Sequence, residues 1–170
     1  AQTVGTITDQ LVNTSTTNQL VTYTITPNLN GCLGAPQTVT ITVKPRPVMT
    51  SATSDTICNN TAVNFTLSAS VLGSSFSWQA APNASVNGES ITPQTASIIN
   101  NTLVNTTSIF QVVNYTITPT VNGCTGTPQQ LAITVVPPPS VTPPVSTPIC
   151  SGQTLSISLS GPITGTQFSW

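Results

Sequence analysis

The chain has 170 residues, of which only 3% are charged, with two cations, three carboxylates and a formal net charge of −1. An ordinary soluble domain carries about 25% charged residues, so hydroxyl and amide groups must form most of this surface. Lys44 and Arg46 alone cannot form the basic stripe that nucleic acid requires or a polybasic membrane anchor, and no apolar run approaches the roughly 20 residues of a transmembrane helix.

The chain matches itself when it is shifted by 92 residues, since Cys124 is the counterpart of Cys32 (124 − 32 = 92). The segment VTYTITP at 21–27 returns as VNYTITP at 113–119, and the Phe-Ser-Trp ending at Trp78 returns ending at Trp170. A catalytic centre rarely needs copying head to tail, whereas a spacer or a multivalent surface does. The repeat therefore favours a modular array over an enzyme.

Two proline-rich segments at equivalent positions of the period predict where repeats join. VKPRPV and VVPPPSVTPPV favour polyproline II geometry, which makes a semi-rigid joint. We expect residues 1–46 to be the C-terminal half of a preceding repeat, 47–138 one complete repeat, and 139–170 the N-terminal half of the next. The half-repeats should fold poorly alone, with three strands in 139–170.

Alternation of apolar and polar residues predicts an all-β chain with almost no helix. In VNYTITP, Val113, Tyr115 and Ile117 share one face. Asn87-Gly88 and Asn122-Gly123 are hairpin-type turn signals. We predict tandem seven-stranded Greek-key β-sandwiches of immunoglobulin-like type. The seven predicted strands of the complete repeat are 48–53, 62–70, 74–80, 85–91, 97–103, 112–118 and 130–136.

The aromatic residues predict a core rather than a binding platform. Trp78, on the third predicted strand, should pack near Tyr115 of the sixth. Trp78 and Trp170 as sugar-stacking rings are the alternative interpretation, and rows of threonine such as 38–42 also resemble ice-binding surfaces. Aromatic residues at such strand positions are usually core, and threonine is a common solvent-facing strand residue.

The polar residues offer no catalytic or metal-binding constellation. The chain has no histidine, so a serine nucleophile lacks the usual base. Asp9, Asp55 and Glu89 are scattered and do not recur in the other copy, which disfavours paired-carboxylate catalysis and an oxygen-ligand calcium site. We expect no enzymatic activity, no cofactor and no metal.

The four cysteines predict structural disulfides. Cys32, Cys58, Cys124 and Cys150 alternate at spacings of 26 and 66 residues, which does not fit the close pairs of a zinc site. Bonding Cys58 to Cys124 is the simple pairing. However, the predicted topology puts them at opposite ends of the sandwich, about 25–35 Å apart, and a disulfide needs Cα atoms within about 7 Å. Bridges across the joints are therefore favoured.

The ordered motifs VxYTITPxxNGCxGxPxxxxITV, ICxxxxxxxxLS and FSW resemble the tandem PKD-like repeats of giant cell-surface adhesins in gliding Bacteroidota. This resemblance covers nearly the whole chain. It implies a secreted, non-enzymatic filament at the bacterial surface, exported by type IX secretion machinery and contacting polysaccharide or the substratum. Gln79-Ala80-Ala81 follows Trp78 where ordinary PKD domains have WDFGDG, so no calcium chemistry carries over. Asp55-Thr56-Ile57 resembles the Bacteroidota O-glycosylation signal, making Thr56 the candidate, in a predicted turn.

The sequence therefore predicts a structural or adhesive segment of a long extracellular filament, whose partners are further repeats of the same chain. The alternatives are a carbohydrate-binding module array of a secreted enzyme and an ice-binding adhesin stalk. A binding module should present at least two exposed coplanar rings. An ice binder should present a flat sheet face of regularly spaced threonine.

Overall fold

A computed structural model of the chain describes residues 5–142 and 148–170. These residues contain no helix, so the all-β prediction is confirmed. The strands are β1 (Gln19–Ile25), β2 (Asn28–Leu29), β3 (Cys32–Leu33), β4 (Gln37–Val43), β5 (Ser54–Cys58), β6 (Thr61–Ala62), β7 (Phe65–Thr66), β8 (Ser75–Ala80), β9 (Val86–Asn87), β10 (Ile98–Ile99), β11 (Thr102–Asn105), β12 (Gln111–Val121), β13 (Cys124–Thr125) and β14 (Gln129–Val136).

The larger sheet of the complete repeat is built around β12. Strands β8 and β14 flank it in antiparallel pairing, β5 adds parallel to β14, and β13 folds back on the end of β12. The β12–β13 hairpin turns through Asn122 and Gly123, whose φ angles are 49° and 81°. Positive φ at both central residues is what an Asn-Gly turn supplies, so the predicted turn is confirmed.

The opposing layer consists of five short strands. β11 pairs with β6 and β9, and β10 pairs with β7. Asn64, at φ 49°, divides β6 from β7, so the strand predicted over 62–70 is interrupted. The strand predicted over 97–103 is likewise divided into β10 and β11. This layer covers the apolar face of the larger sheet and makes the repeat a sandwich.

The strand predicted over 48–53 and the hairpin turn predicted at Asn87-Gly88 were wrong. No strand runs over 48–53: Met49 forms one bridge to Ala69 in the smaller layer, and the chain then crosses to the larger sheet, where β5 begins. Asn87-Gly88 is not a hairpin turn, because β9 pairs with the later strand β11. A Cβ on Gly88 would meet the Thr102 carbonyl oxygen at 2.0 Å. The close approach of these two segments of the chain therefore requires glycine at position 88.

The core lies between the two layers of residues 47–138. Alternate side chains of β12 and β14 point into it, and Tyr115, Leu131 and Ile133 have no exposed surface. The continuous core cluster extends from Met49 to Val135. Each such aliphatic side chain contributes roughly 1.5–3 kcal/mol when it is buried, so this segment contains a complete core of its own.

The two half-repeats lack that core. β1 pairs with β4 in the register of β12 with β14, since Tyr23 faces Val39 as Tyr115 faces Leu131. Nevertheless Val39 is 44% exposed where Leu131 is fully buried. The three strands expected in 139–170 do not form among its described residues, which contain one bridge, Thr142 to Ser160. The segment has no counterparts of β12 and β14, the strands with which β8 and β5 pair.

Candidate functional site at the joint between repeats

Both cations of the chain lie in the first joint (residues 43–48) and contact the next repeat. The Lys44 ammonium donates a hydrogen bond to the Asn122 carbonyl oxygen at 3.1 Å. The Arg46 Nε–H donates to the Thr125 carbonyl oxygen at 3.0 Å. Asn122 lies in the β12–β13 turn, and Thr125 is the last residue of β13. Two cationic donors therefore hydrogen-bond the end of one repeat to the hairpin of the next. Hydrogen bonds from charged donors are stronger than those from neutral donors.

The first joint also makes a close backbone contact. Pro45 and Pro47 are buried, although they belong to a connecting segment. Gly126, just after β13, lies so near that an added Cβ would stand 2.0 Å from the Pro47 carbonyl oxygen and 2.8 Å from Cγ of Pro119. Only a residue without a side chain permits this approach. The contact is packed, and the joint is not a free tether.

The second joint has different chemistry. Val136 and Pro138 stand where the first joint has Lys44 and Arg46 (44 + 92 = 136, 46 + 92 = 138). Pro137 is fully buried. Residues 143–147 of the predicted second joint lie outside the described residues. The proline-based packing is thus common to both joints, whereas the cationic hydrogen bonds belong to the first.

The cysteines lie at the ends of the sandwich. Cys58 pairs with Val136 at one end of the larger sheet, and Cys124 pairs with Val121 at the other end. The 11 residues of β12 separate those ends by about 33 Å at roughly 3.3 Å per residue. All four cysteines are free thiols, and Cys124 is half-buried where Cys32 is exposed.

Asn105, a buried residue not predicted from the sequence, makes hydrogen bonds that hold the loop between β11 and β12. Asn105 is 4% exposed and donates from Nδ2 to the carbonyl oxygens of Ile109 and Val135 at 2.7 and 3.1 Å. Its Oδ1 accepts from the backbone N–H of Thr107 at 2.9 Å. The sequence does contain an indication of this network, because an Asn-x-Ser/Thr motif stands at the equivalent position of both copies. This motif favours local hydrogen bonds between side chain and backbone.

Trp78 and Tyr115 both lie in the core. Their rings meet edge to face, with centroids 5.8 Å apart and planes at 67°. The Trp78 indole N–H donates to the Ala96 carbonyl oxygen at 2.8 Å, and the Tyr115 hydroxyl donates to Oδ1 of Asn101 at 3.1 Å. Burial raises the pKa of Tyr115 above its ordinary value, and the negative charge of Glu89 raises it further. Both polar tips are satisfied, as buried Trp and Tyr require.

Thr56 lies in a strand and not in the predicted turn. It is exposed on β5, the edge strand of the larger sheet, and registers opposite Thr134. Its backbone N–H donates to Oδ1 of Asp55 at 2.7 Å. The Thr56 side chain is accessible to solvent. Its O-glycosylation stays a prediction.

An apolar concavity lies among the described residues of the C-terminal segment. An open volume of about 370 Å³ is lined by Leu155, Ile157, Leu159 and Trp170. Subtracting 92 gives Val63, Phe65, Leu67 and Trp78, which are buried or packed against the core of the complete repeat. The same four positions thus line a packed core in one copy and an open concavity in the other.

The complete repeat does not present the surfaces that the two alternative functions need. Between residues 47 and 138, all of which are described, Phe110 is the only exposed aromatic side chain, at 54%. The outer face of β12 carries Thr116 and Thr118, but Gln130 and Ala132 of β14 interrupt the threonine pattern. Neither paired coplanar rings nor a regular threonine array is formed.

The carboxylates are dispersed in the structure as they are in the sequence. Asp9 accepts from the Tyr23 hydroxyl at 2.9 Å, and Glu89 accepts from the backbone N–H of Asn83 at 3.2 Å. Among residues 5–142 and 148–170, no three His, Cys, Asp or Glu side chains gather as metal ligands would. The same residues contain no apolar helix of membrane-spanning length.

Comparison with known proteins assigns the family. A family model described as PKD-like domain matches residues 1–47 and 55–139, which is more than half of the chain and includes both copies of the repeat. A search of curated proteins found no match. The two matched segments contain the paired strands β1 and β4 and their counterparts β12 and β14. The chain belongs to the PKD-like domain family.

Proposed function

We propose that the chain is a non-enzymatic structural segment of a long, repetitive filament on a bacterial cell surface. The packed joint carries this proposal: Lys44 and Arg46, at the end of one repeat, donate hydrogen bonds to the hairpin of the next, and Pro47 at the boundary lies against Gly126. A direct contact of this kind lets consecutive repeats keep a fixed relative orientation. A spacer needs such an orientation, whereas an independent binding module does not.

The surface chemistry supports an extracellular location. PKD-like domains are common in extracellular and surface proteins, and with 3% charged residues this chain relies on hydroxyl and amide groups for solubility. Such a surface offers many weak hydrogen-bonding contacts, which add up along an array. We propose that further repeats are its main partners, and that polysaccharide or the substratum is contacted along its length.

The finer proposal concerns the class of filament. The motif order resembles the SprB-like gliding adhesins of Bacteroidota, which implies export by type IX secretion. Antibodies against residues 47–138 test the location: they should label intact cells of the source organism. Labelling that requires permeabilised cells would contradict a surface location.

Small-angle X-ray scattering tests the array. A copy of residues 79–138 placed after Trp170 continues the period, because Trp170 is the counterpart of Trp78 (170 − 78 = 92); copies of 47–138 then add whole repeats. Each repeat should increase the maximum dimension by a constant increment of about 35–45 Å, the length of an 11-residue strand plus a joint. Increments that shrink as repeats are added would contradict the proposal.

The control replaces Pro137, Pro138 and Pro139 with glycine. These prolines lie at the boundary between the complete repeat and the C-terminal half-repeat, and glycine removes their fixed φ angles. The glycine variant should keep the folded sandwiches but lose the constant increment, because glycine-rich joints behave as flexible coils. An unchanged scattering profile would show that the prolines do not set the direction of the array.

A further inference from the structure

We infer that a disulfide clamps each joint, linking Cys58 of one repeat to the Cys124 counterpart of the repeat that follows it. This inference rests on the proposed function, since it needs a following repeat in register. It differs from a bond within the repeat, because Cys58 and Cys124 of the same sandwich lie at opposite ends of β12.

The first joint shows where the following repeat presents its cysteine. Cys124 begins β13, between the two carbonyl acceptors of Lys44 and Arg46, on Asn122 and Thr125. It is half-buried, whereas its counterpart Cys32 is exposed. The Cys124 thiol therefore lies on the surface where the repeats meet.

The complete repeat shows where the preceding repeat presents its own cysteine. Cys58 pairs in parallel with Val136, at a strand spacing of roughly 4.8 Å. Val136 is the counterpart of Lys44 (136 − 92 = 44). A preceding repeat built in the same way would therefore hold its Cys58 counterpart beside Lys44.

The two placements converge on one joint. The Lys44 side chain reaches the carbonyl of Asn122, two residues before Cys124. A cysteine on the strand next to Lys44 would thus lie at the same joint as the turn that holds Cys124, and the bridge requires the two Cα atoms to come within about 7 Å. Both thiols lie on rigid strand ends, and neither pairs with another cysteine of this chain.

The bond is formed by a two-electron oxidation. The two cysteines lose two protons and two electrons as their sulfur–sulfur bond forms, and a disulfide oxidant such as oxidised glutathione takes up both to become two thiols. Thiol–disulfide exchange proceeds through a mixed disulfide, for which the exposed Cys58 is accessible. Once formed, the bond carries tension across the joint covalently.

The test uses the 170-residue chain extended after Trp170 by a copy of residues 79–138. The extended chain has five cysteines, the four of the chain and the copy of Cys124. After equilibration with oxidised glutathione and removal of the reagent, three thiols should react with a thiol-titrating reagent in denaturant. Without oxidant, all five should react.

Two matched variants identify the partner of Cys58. With Cys124→Ser in the original repeat, four cysteines remain and two should titrate, because the bridge to the copy persists. With the same change in the appended copy, four cysteines remain and all four should titrate. A bond within each repeat would also join Cys150 to the copy of Cys124, so one thiol would titrate in the extended chain and two in each variant. Two titrating thiols in the variant of the appended copy would therefore overturn the inference.

Scattering by the same extended chain separates the two proposals. An elongated chain in which all five thiols titrate after oxidation would refute the disulfide and leave the array intact. A chain whose maximum dimension does not grow on extension would refute the array, and the disulfide with it.

Discussion

Asn105 and Val135 are joined by a hydrogen bond from Nδ2 to the backbone carbonyl at 3.1 Å, and Asn13 makes the same bond to Val43 at 2.7 Å. The pairs are separated by 92 residues (105 − 13 = 135 − 43 = 92). The repeat therefore preserves a side-chain network as well as strand order, and only Asn105 is enclosed by a complete core.

Replacing Asn105 with alanine should destabilise the complete repeat by about 2–3 kcal/mol, because the Ile109 and Val135 carbonyls and the Thr107 N–H lose their partner. The free energy of unfolding, from urea titration followed by Trp78 fluorescence, measures this. Asn13→Ala is the matched control and should change that transition by less than about 0.5 kcal/mol. Equal effects of the two variants would contradict a self-contained 47–138 core.

Alkaline pH should destabilise the protein through Tyr115, whose pKa is raised by burial. Below about pH 10, the hydroxyl is protonated in the folded and unfolded states, so stability is fully present. Above it, the unfolded chain releases the proton while the folded chain retains it. The free energy of unfolding then falls by up to about 1.4 kcal/mol per pH unit until the folded state also ionises.

Urea titrations at several pH values from neutral to strongly alkaline should show this slope. Tyr115→Phe should be less stable near neutral pH, because the bond to Asn101 is lost, and should lack most of the alkaline decline. Tyr23→Phe should retain the decline, since Tyr23 belongs to the incomplete repeat. An equally steep decline in Tyr115→Phe would exclude Tyr115 as its source.

Gly126→Ala should disturb the first joint. Its Cβ would overlap the Pro47 carbonyl oxygen, so backbone must move, at a cost of about 1–3 kcal/mol. NMR shifts of residues 44–47 and the unfolding free energy report the change. Gly34→Ala is the control: its Cβ would meet only the Pro27 ring, at 2.8 Å from Cγ. Large shifts at 44–47 in the control alone would contradict the joint geometry.

Trp170 should become buried when the third repeat is completed. Its side chain is fully exposed, whereas its counterpart Trp78 lies in the core. Adding the copy of residues 79–138 should move the Trp170 emission to shorter wavelength and reduce its quenching by acrylamide. The control is an extension by residues 79–92 only, which lacks β11, β12 and β14. This shorter extension should leave Trp170 exposed.

The sequence was sufficient to predict the strands that carry the core. In β12 and β14 apolar side chains such as Tyr115, Ile117 and Leu131 recur at every second position, and their burial on one face follows directly from this period. The Asn122-Gly123 turn was predictable for an equally local reason, since few residue pairs adopt two positive φ angles.

The position of β5 was not predictable in the same way. Residues 54–58 (SDTIC) have one large apolar side chain and no alternation, and the strand exists because it pairs in parallel with the distant strand β14. The joint was predicted only in outline. Prolines indicated its place, but the contacts of Lys44 and Arg46 depend on carbonyls more than seventy residues away.

Hydrogen–deuterium exchange of the 170-residue chain tests most directly whether one period of 92 residues is one autonomous sandwich. The amides of β12 and β14 should be the slowest to exchange and should share one opening free energy, while their counterparts in β1 and β4 should exchange far faster despite the same register. Equal protection of Val21 and Val113 would show that the two copies share a single interior, and would contradict the modular account.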